Sequence, residues 1–227
     1  MEGAELADEI SDTIRQYIFL NKHEAVAVTL FILHGWAIDV VTISPILRIS
    51  SGSKGCGKST LLTLAAALLP RSVMTGNMTV ASLYRAVDKF RATIALDEAD
   101  IGLANDPELA SMFNASYMKA TSMVPRCVGE GKEIALFDCW GPKIISGIGR
   151  LQATLEDRSI PVVLKKKKNG ETQQRFRFDR LGALEPIKRG LARWAQDNLD
   201  QLRGADPEMP QQLGDRPCDN WRPLVWL

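Results

Sequence analysis

The stretch ISSGSKGCGKSTLL (49–62) carries the strongest chemical signal in this sequence. It fits the spacing GxxxxGK[ST], because Gly52 is followed by Gly57, Lys58 and Ser59. Glycines let the backbone wrap closely, so that its N–H groups surround a phosphate, while the lysine reaches the outer phosphates and the hydroxyl binds Mg²⁺. The predicted nucleotide-binding set is Gly52, Ser53, Lys54, Gly55, Cys56, Gly57, Lys58, Ser59 and Thr60.

A second motif, IALDEAD (94–100), places acids directly after an apolar run. Such a run is typical of a central parallel strand whose C-terminal end faces a ligand. We expect Asp97 to bind Mg²⁺ together with Ser59, and Glu98 to activate water. Asp100 is interpreted as the cap of the next segment. A glutamate here favours hydrolysis over transfer by a small-molecule kinase, and the sequence has no NKxD guanine motif. The predicted cofactors are therefore ATP and Mg²⁺.

These motifs need a scaffold that brings the loop and the acids to one edge of a sheet. The apolar runs ILRISS (46–51), PKIISGI (142–148) and SIPVVL (159–164) predict strands, with helical patterns between them. Strands alternating with helices predict an α/β fold of three αβα layers around a parallel sheet. The predicted organisation is an N-terminal helical segment at 1–44, a P-loop ATPase core at 45–168, and a basic loop with a partial C-terminal helical lid at 169–227.

Composition narrows the class of protein without indicating a partner. The 227 residues include 28 Lys and Arg against 27 Asp and Glu, so nucleic acid would need a local basic patch. The acidic N-terminus does not resemble a signal peptide, and the apolar run 25–38 is too short to span a bilayer. We expect a cytoplasmic protein without a membrane partner, with His34 as a core residue. The cysteine spacing predicts reduced thiols at Cys56, Cys127, Cys139 and Cys218.

Four segments together resemble a known family. They are LRISSGSKGCGKSTLL, TIALDEAD, WGPKIISGIGRLQATLEDRSIPVVL and DPEMPQQLGDRPCDNWRPL. The sequence is similar, from about residue 25 onward, to a domain-of-unknown-function family of helicase-like P-loop ATPases from phages, prophages and integrative elements. Members are often linked to primases. The resemblance implies an AAA+ or superfamily-three-like core of the ASCE type, which assembles as a hexamer and acts on DNA during replication.

The resemblance also assigns roles to residues outside the two motifs. Ser146 matches a polar residue that senses the γ-phosphate, although a buried, satisfied hydroxyl is the alternative. Arg158 matches an arginine finger presented to a neighbour's nucleotide, with Arg150 as the other candidate. A salt bridge from Arg158 to Glu156 or Asp157 is the structural alternative. The expected catalytic set is Lys58, Glu98, Ser146 and Arg158.

Two basic segments are candidates for binding single-stranded DNA. The segment 124–140 predicts a β-hairpin with Lys132 at its tip, and related rings use such a hairpin to contact DNA. The run from 164 to 170 is basic and precedes Phe176 and Phe178, which suit stacking on bases. Solvated surface is the alternative for both segments. The predicted DNA contacts are Lys132, Lys165, Lys166, Lys167 and Lys168.

Two functions remain open from the sequence. The first is a ring-forming ATPase that couples hydrolysis to movement on DNA, with a primase as a further partner. The second is a nucleotide-gated assembly module, a loader or switch, whose hydrolysis resets a contact with another protein. Stimulation of ATP turnover by DNA separates the two.

Overall fold

The computed structural model describes residues 3–129, 131, 133–167 and 173–227. The chain has an α/β fold, as predicted. In chain order the helices and strands are α1 (Gly3–Tyr17), α2 (Lys22–Trp36), β1 (Ile46–Ser51), α3 (Lys58–Leu68), β2 (Ser72–Thr75), α4 (Val80–Phe90), β3 (Thr93–Leu96), α5 (Ala99–Asn105), α6 (Pro107–Ala115), β4 (Met123–Val128), β5 (Glu133–Asp138), β6 (Lys143–Ile148), α7 (Ala153–Asp157), β7 (Ser159–Leu164), α8 (Glu185–Leu202) and α9 (Asp215–Val225).

The main sheet has five strands in the order β2-β3-β6-β1-β7. Every pairing in it is parallel. Strand β6 therefore lies between β1 and β3, and Ser146 on β6 is in register with Ile49 on β1. We call the side where these strands end the carboxyl edge, and the side where they begin the amino edge. Both motifs follow a strand, so both lie at the carboxyl edge.

Helices cover both faces of the sheet, because the central strands bury apolar side chains on both sides. One apolar cluster joins the sheet to α1, α2, α3 and α8, and includes Phe31, Leu61 and Leu191. The other joins it to α4, α5 and α6, and includes Leu83 and Phe113. The N-terminal and C-terminal helices thus share one core on the same side of the sheet.

Local sequence explains where several of these helices begin. Helix α4 begins after Thr79, whose hydroxyl caps the helix by accepting a hydrogen bond from the Ser82 N–H at 3.2 Å. Helix α6 begins after Asp106, which accepts from the Leu109 N–H at 2.9 Å. The prediction that Asp100 caps its helix is wrong, because α5 begins directly after Glu98. Asp100 lies in the first turn of α5 instead.

The predicted strands are confirmed with one addition, since the sequence did not indicate β2. This strand is short, with only four residues at the end of the sheet, and it is partly exposed, so its apolar pattern is weak. The predicted core role of His34 is confirmed, because the ring is buried and its Nε2 atom lies 3.0 Å from the Ser44 hydroxyl. Within the described ranges, no helix is both long enough and apolar enough to cross a membrane.

The predicted hairpin is confirmed as the antiparallel pair β4–β5. It packs against α4 through Tyr84 and Phe137, whose ring centroids are 4.4 Å apart. Its two strands connect α6 to β6, so the base of the hairpin lies near the amino edge of the main sheet. Lys132, predicted at the hairpin tip, lies outside the described residues.

Candidate functional site

The glycine-rich loop (52–57) joins β1 to α3 at the carboxyl edge. Gly55 and Gly57 have φ values of +76° and +89°, in the left-handed region where a side chain is strained. A Cβ atom at Gly57 would also lie 2.9 Å from the Ile18 side chain. Gly57 precedes α3 and offers no side-chain cap, so the N–H groups of the first turn remain available to an anion.

Lys58 lies next to this loop and is held by a neutral partner. Its Nζ atom donates to the Ser51 hydroxyl at 2.9 Å, and that hydroxyl donates to the Ser53 carbonyl at 2.6 Å. This contact orients the ammonium group without neutralising its charge. Ser51 was not identified from the sequence, although its position as the last residue of β1 is a signal that could have indicated it.

Cys56 is partly buried within the loop and contacts the same group of side chains. Its Sγ atom lies 3.4 Å from the Ser53 hydroxyl. Hydrogen bonding from Ser53 lowers the pKa of the Cys56 thiol, and the nearby Lys58 ammonium acts in the same direction.

Asp97 connects two hydroxyls that are distant in sequence. Ser59 Oγ donates to Asp97 Oδ2 at 2.8 Å, and Ser146 Oγ donates to Asp97 Oδ1. The order of strands produces this contact, because β3, β6 and β1 lie side by side. Oxygen atoms of this kind are suitable Mg²⁺ ligands, so Ser59 and Asp97 fit the predicted metal-binding pair. Ser146 is fully buried, and its hydroxyl is satisfied by the same carboxylate.

Glu98 follows Asp97 and is exposed at the same edge. Its φ of +52° is uncommon for a residue other than glycine, and such backbone strain is frequent at functional sites. Its N–H donates to Asp97 Oδ1 at 3.0 Å. Lys58, Ser59, Asp97 and Glu98 line one cavity of about 540 Å³, which we call the acidic cleft.

Gly147 and Asp100 complete the wall of the acidic cleft, and neither role was identified from the sequence. A Cβ atom at Gly147 would lie 2.5 Å from Asp100 Oδ1, so the two segments approach closely only because residue 147 has no side chain. No local pattern in the sequence indicates this contact, because it depends on the packing of α5 against β6.

Arg158 lies at the amino edge of the sheet, whereas the acidic cleft lies at the carboxyl edge. Its carbonyl accepts from the N–H of Ile46, the first residue of β1, at 2.9 Å. Strand β1 has six residues, which at ~3.3 Å each separate the two edges by about 20 Å. An arginine side chain is much shorter than that. Arg158 therefore cannot reach the acidic cleft of its own chain.

The guanidinium of Arg158 is held by neutral groups. Its Nη1 atom donates to the Thr154 carbonyl at 2.9 Å, and its Cζ atom lies 5.5 Å from the centroid of the Tyr117 ring. The two acids considered as its partners pair elsewhere. Glu156 binds Arg48 at 3.0 Å, and Asp157 binds Arg216 at 3.0 Å.

Residues of helix α9, near the C-terminus, also contact Tyr117 and the segment around Arg158. Arg216 also lies against the Tyr117 ring, with its Cζ atom 5.2 Å from the centroid. The Tyr117 hydroxyl donates to Asn220 Oδ1 at 2.8 Å, and Asn220 donates to the Asp157 carbonyl at 2.9 Å. Arg150, the other candidate for the finger, is exposed after β6 and therefore lies at the carboxyl edge of its own chain.

The structure describes three of the five predicted DNA contacts, and all three lie in one run directly after β7. Lys165 and Lys167 line a cavity beside the glycine-rich loop. Lys166 is exposed after β7. Lys132 and Lys168 lie outside the described residues. Arg126, a further cation on the hairpin, is paired with Glu108 at 3.1 Å.

Comparison with known proteins gives one partial match. A family model with the description Protein of unknown function (DUF3631) matches residues 163–227. No curated protein matches the chain. The matched segment begins near the end of β7 and includes α8 and α9. The C-terminal part of the chain is therefore similar to that family, whereas the glycine-rich loop and the acidic cleft precede the matched residues.

Proposed function

We propose that the chain is a Mg²⁺-dependent P-loop ATPase of the AAA+ or superfamily-three-like type. The observation that carries this proposal is the convergence of Lys58, Ser59, Asp97 and Glu98 on one cleft at the start of α3. These residue types serve phosphate binding, metal binding and water activation in phosphoryl transfer. A salt-bridged surface would instead pair Lys58 with an acid, whereas here its partner is the Ser51 hydroxyl.

The acidic cleft offers each group needed for hydrolysis. The loop N–H groups and Lys58 would hold the phosphates, and Ser59 and Asp97 would hold Mg²⁺. When bound, Mg²⁺ neutralises charge that develops on the transferred phosphate. Ser146 keeps the Asp97 carboxylate oriented by donating to its second oxygen. Glu98 is exposed, so its carboxylate is accessible to an attacking water and could orient it.

Completion of this site requires a second subunit. The length of β1 places Arg158 about 20 Å from the acidic cleft of its own chain. Its guanidinium contacts only neutral groups among those described above, the Tyr117 ring and the Thr154 carbonyl. We infer that Arg158 stabilises charge on a neighbour's nucleotide. A head-to-tail contact of this kind forms a ring when the rotation between subunits closes, and the hexamer that the family resemblance implies is such a ring.

The biological role that we propose for this ring is movement on DNA during replication of a phage or mobile element. A primase would be its partner. Its support is the resemblance of the motif segments to helicase-like ATPases. The described basic residues add little to this support. Lys165 and Lys167 lie beside the glycine-rich loop, where they could contact a nucleotide as well as DNA.

One observation favours the second candidate, a nucleotide-gated assembly module. The outward face of the β4–β5 hairpin is apolar, and Met123, Ile134 and Leu136 are 50%, 76% and 62% exposed. An apolar face of this kind suits contact with a protein better than contact with phosphates. In this second function the nucleotide would control binding of a partner without unwinding.

ATPase assays with and without single-stranded DNA test both candidates. The wild-type protein should hydrolyse ATP only with Mg²⁺, and Lys58→Ala should abolish turnover, whereas Lys22→Ala on the exposed start of α2 should not. Turnover stimulated by DNA supports the helicase-like function. Turnover indifferent to DNA supports the assembly module. Full turnover by Lys58→Ala would contradict the phosphate site itself.

A further inference from the structure

The turn that carries Arg158 is fixed by a residue from a distant part of the chain. Arg158 follows α7 directly and precedes β7. Helix α7 has only five residues, and the last carbonyl groups of any helix have no partner within it. The carbonyl of Asp157, next to Arg158, accepts from the side-chain amide of Asn220 on α9 at 2.9 Å. Asn220 therefore holds the backbone at the point where the arginine side chain begins.

Asn220 also holds the ring that Arg158 contacts. Tyr117 is buried, and its hydroxyl donates to Asn220 Oδ1 at 2.8 Å. The Arg158 Cζ atom lies 5.5 Å from the centroid of the same ring. Burial raises the pKa of the Tyr117 hydroxyl, so the group stays protonated near neutral pH and continues to donate. One amide thus fixes both the start of the Arg158 side chain and the ring beside its guanidinium.

The remaining contact of the guanidinium comes from the same group of segments. Arg158 Nη1 donates to the Thr154 carbonyl, and the Thr154 hydroxyl accepts from the side-chain amide of Asn114 at 3.2 Å. Asn114 lies near the end of α6, and its carbonyl accepts from the Tyr117 N–H at 3.2 Å. Neutral groups therefore set the direction of the guanidinium without cancelling its charge. A charge held in this way needs no reorganisation at the moment of reaction.

The attachment of α9 to the protein does not depend on Asn220 alone. Leu224 on the same helix is fully buried in the apolar cluster that joins α1, α2, α3 and α8 to the sheet. Asn220 is 5% exposed, and burial of an amide costs free energy unless its polar atoms are paired. Both of its polar atoms are paired here, one with Tyr117 and one with the Asp157 carbonyl. Apolar contacts attach α9 to the core, and Asn220 connects the helix to the Arg158 turn.

We propose that Asn220 is a positioning residue for Arg158, through which helix α9 directs the arginine towards the nucleotide of a neighbouring subunit. It acts through the Asp157 carbonyl and the Tyr117 ring. This inference rests on the proposed function, because it requires Arg158 to serve a neighbour's site. It also gives a role to the segment DNWRPL (219–224), which lies in the family-matched part of the chain.

The same substitution, placed in either half of the shared site, tests this role. Lys58→Ala supplies only the finger and Arg158→Ala only the phosphate site, so turnover in their mixture comes from interfaces between the two. Asn220→Leu keeps the branched shape, removes both hydrogen bonds, and is added to one chain at a time. In the Lys58→Ala chain it should lower the recovered turnover roughly tenfold or more, since a misplacement of about 1 Å can cost about 10²-fold in rate. In the Arg158→Ala chain it should have no effect.

Asn198→Leu is the matched control. Asn198 lies on α8 and, like Asn220, donates to a backbone carbonyl, in this case that of Trp194 at 2.8 Å. This contact lies within α8 and away from the Arg158 turn. The recovered turnover should therefore be the same with and without Asn198→Leu, whichever chain carries it.

Tyr117→Phe is a second variant that changes the fold less. It removes one oxygen atom and keeps the ring that Arg158 contacts. The loss of one hydrogen bond should lower the recovered turnover roughly fivefold, and again only when the substitution is in the Lys58→Ala chain. If Asn220→Leu fails to assemble, the two mixtures with Tyr117→Phe replace it.

The distribution of the loss between the two chains distinguishes positioning from a general effect on the fold. Equal loss in both chains would overturn the positioning role, and so would no loss in either chain while the unmodified mixture recovers. No recovery in the unmodified mixture, despite demonstrated co-assembly, would overturn the shared site and the role of Asn220 together. A wild-type protein without ATP turnover would overturn the proposed function itself and this inference with it.

Discussion

Replacement of Arg158 by alanine should remove most ATP turnover while nucleotide binding by a single subunit stays nearly unchanged. The reason is geometric, because Arg158 lies at the amino edge and its own acidic cleft lies at the carboxyl edge. The six residues of β1 separate the two edges by about 20 Å. In the proposed assembly, the guanidinium would therefore contribute to the nucleotide of a neighbouring subunit and not to that of its own chain.

The size of the effect follows from the chemistry of an arginine finger. A guanidinium that neutralises charge on the transferred phosphate is commonly worth roughly 10³-fold or more in rate. We therefore expect turnover by Arg158→Ala to fall by about this factor. Turnover per chain of the wild-type protein should also rise with protein concentration, because dilute subunits lack the neighbour that supplies the arginine.

Mixing two inactive variants gives the sharpest assay. Lys58→Ala lacks a working phosphate site but retains its finger, and Arg158→Ala has the reverse defect. In rings formed at random from equal amounts, about a quarter of the head-to-tail interfaces join two intact halves. Turnover should therefore recover to roughly a quarter of the wild-type value. Neither variant alone should recover on concentration.

Arg216→Ala is the control for structural damage. Its guanidinium lies 5.2 Å from the same Tyr117 ring that Arg158 contacts at 5.5 Å, but Arg216 is paired with Asp157 at 3.0 Å. A variant at this position tests the packing around Tyr117 without removing the proposed finger. Two results would refute the reasoning: wild-type turnover in Arg158→Ala, or no recovery on mixing despite demonstrated co-assembly of the two variants.

Two further predictions concern hydrolysis and stability. Glu98→Gln should bind ATP normally but hydrolyse it roughly 10²-fold more slowly; wild-type turnover by the purified variant would remove Glu98 from the mechanism. Burial lowers the pKa of His34 from 6.5 to about 4, so the unfolded chain gains a proton first as pH falls from 6.5 towards 4. In denaturant unfolding, the free energy of unfolding should keep the full contribution of neutral His34 above pH 6.5. It should fall by about 3 kcal/mol by pH 4. His34→Gln should reduce that loss, whereas His23→Gln, at an exposed histidine, should not.

The sequence by itself determined most local features of this protein. The glycine-rich loop, its following helix and the acids after β3 were all predictable, because each is encoded by a few adjacent residues. The cap at Thr79 and the hairpin β4–β5 were predictable for the same reason. Strand β2 was missed because four partly exposed residues do not form a clear apolar pattern. The cap assigned to Asp100 was wrong because Glu98 adopts a left-handed backbone that spacing does not indicate.

Only the tertiary structure decided which of these features meet. The contacts of Asp97 with Ser59 and Ser146 join residues 38 and 49 positions apart in sequence. They exist because β6 lies between β1 and β3, so that the ends of these three strands meet at one edge of the sheet. The same packing places Arg158 at the opposite edge and brings the end of α1 to the segment after β7. The spacing of nearby residues cannot encode such contacts, because they depend on how segments that are distant in sequence bury apolar surface against one another.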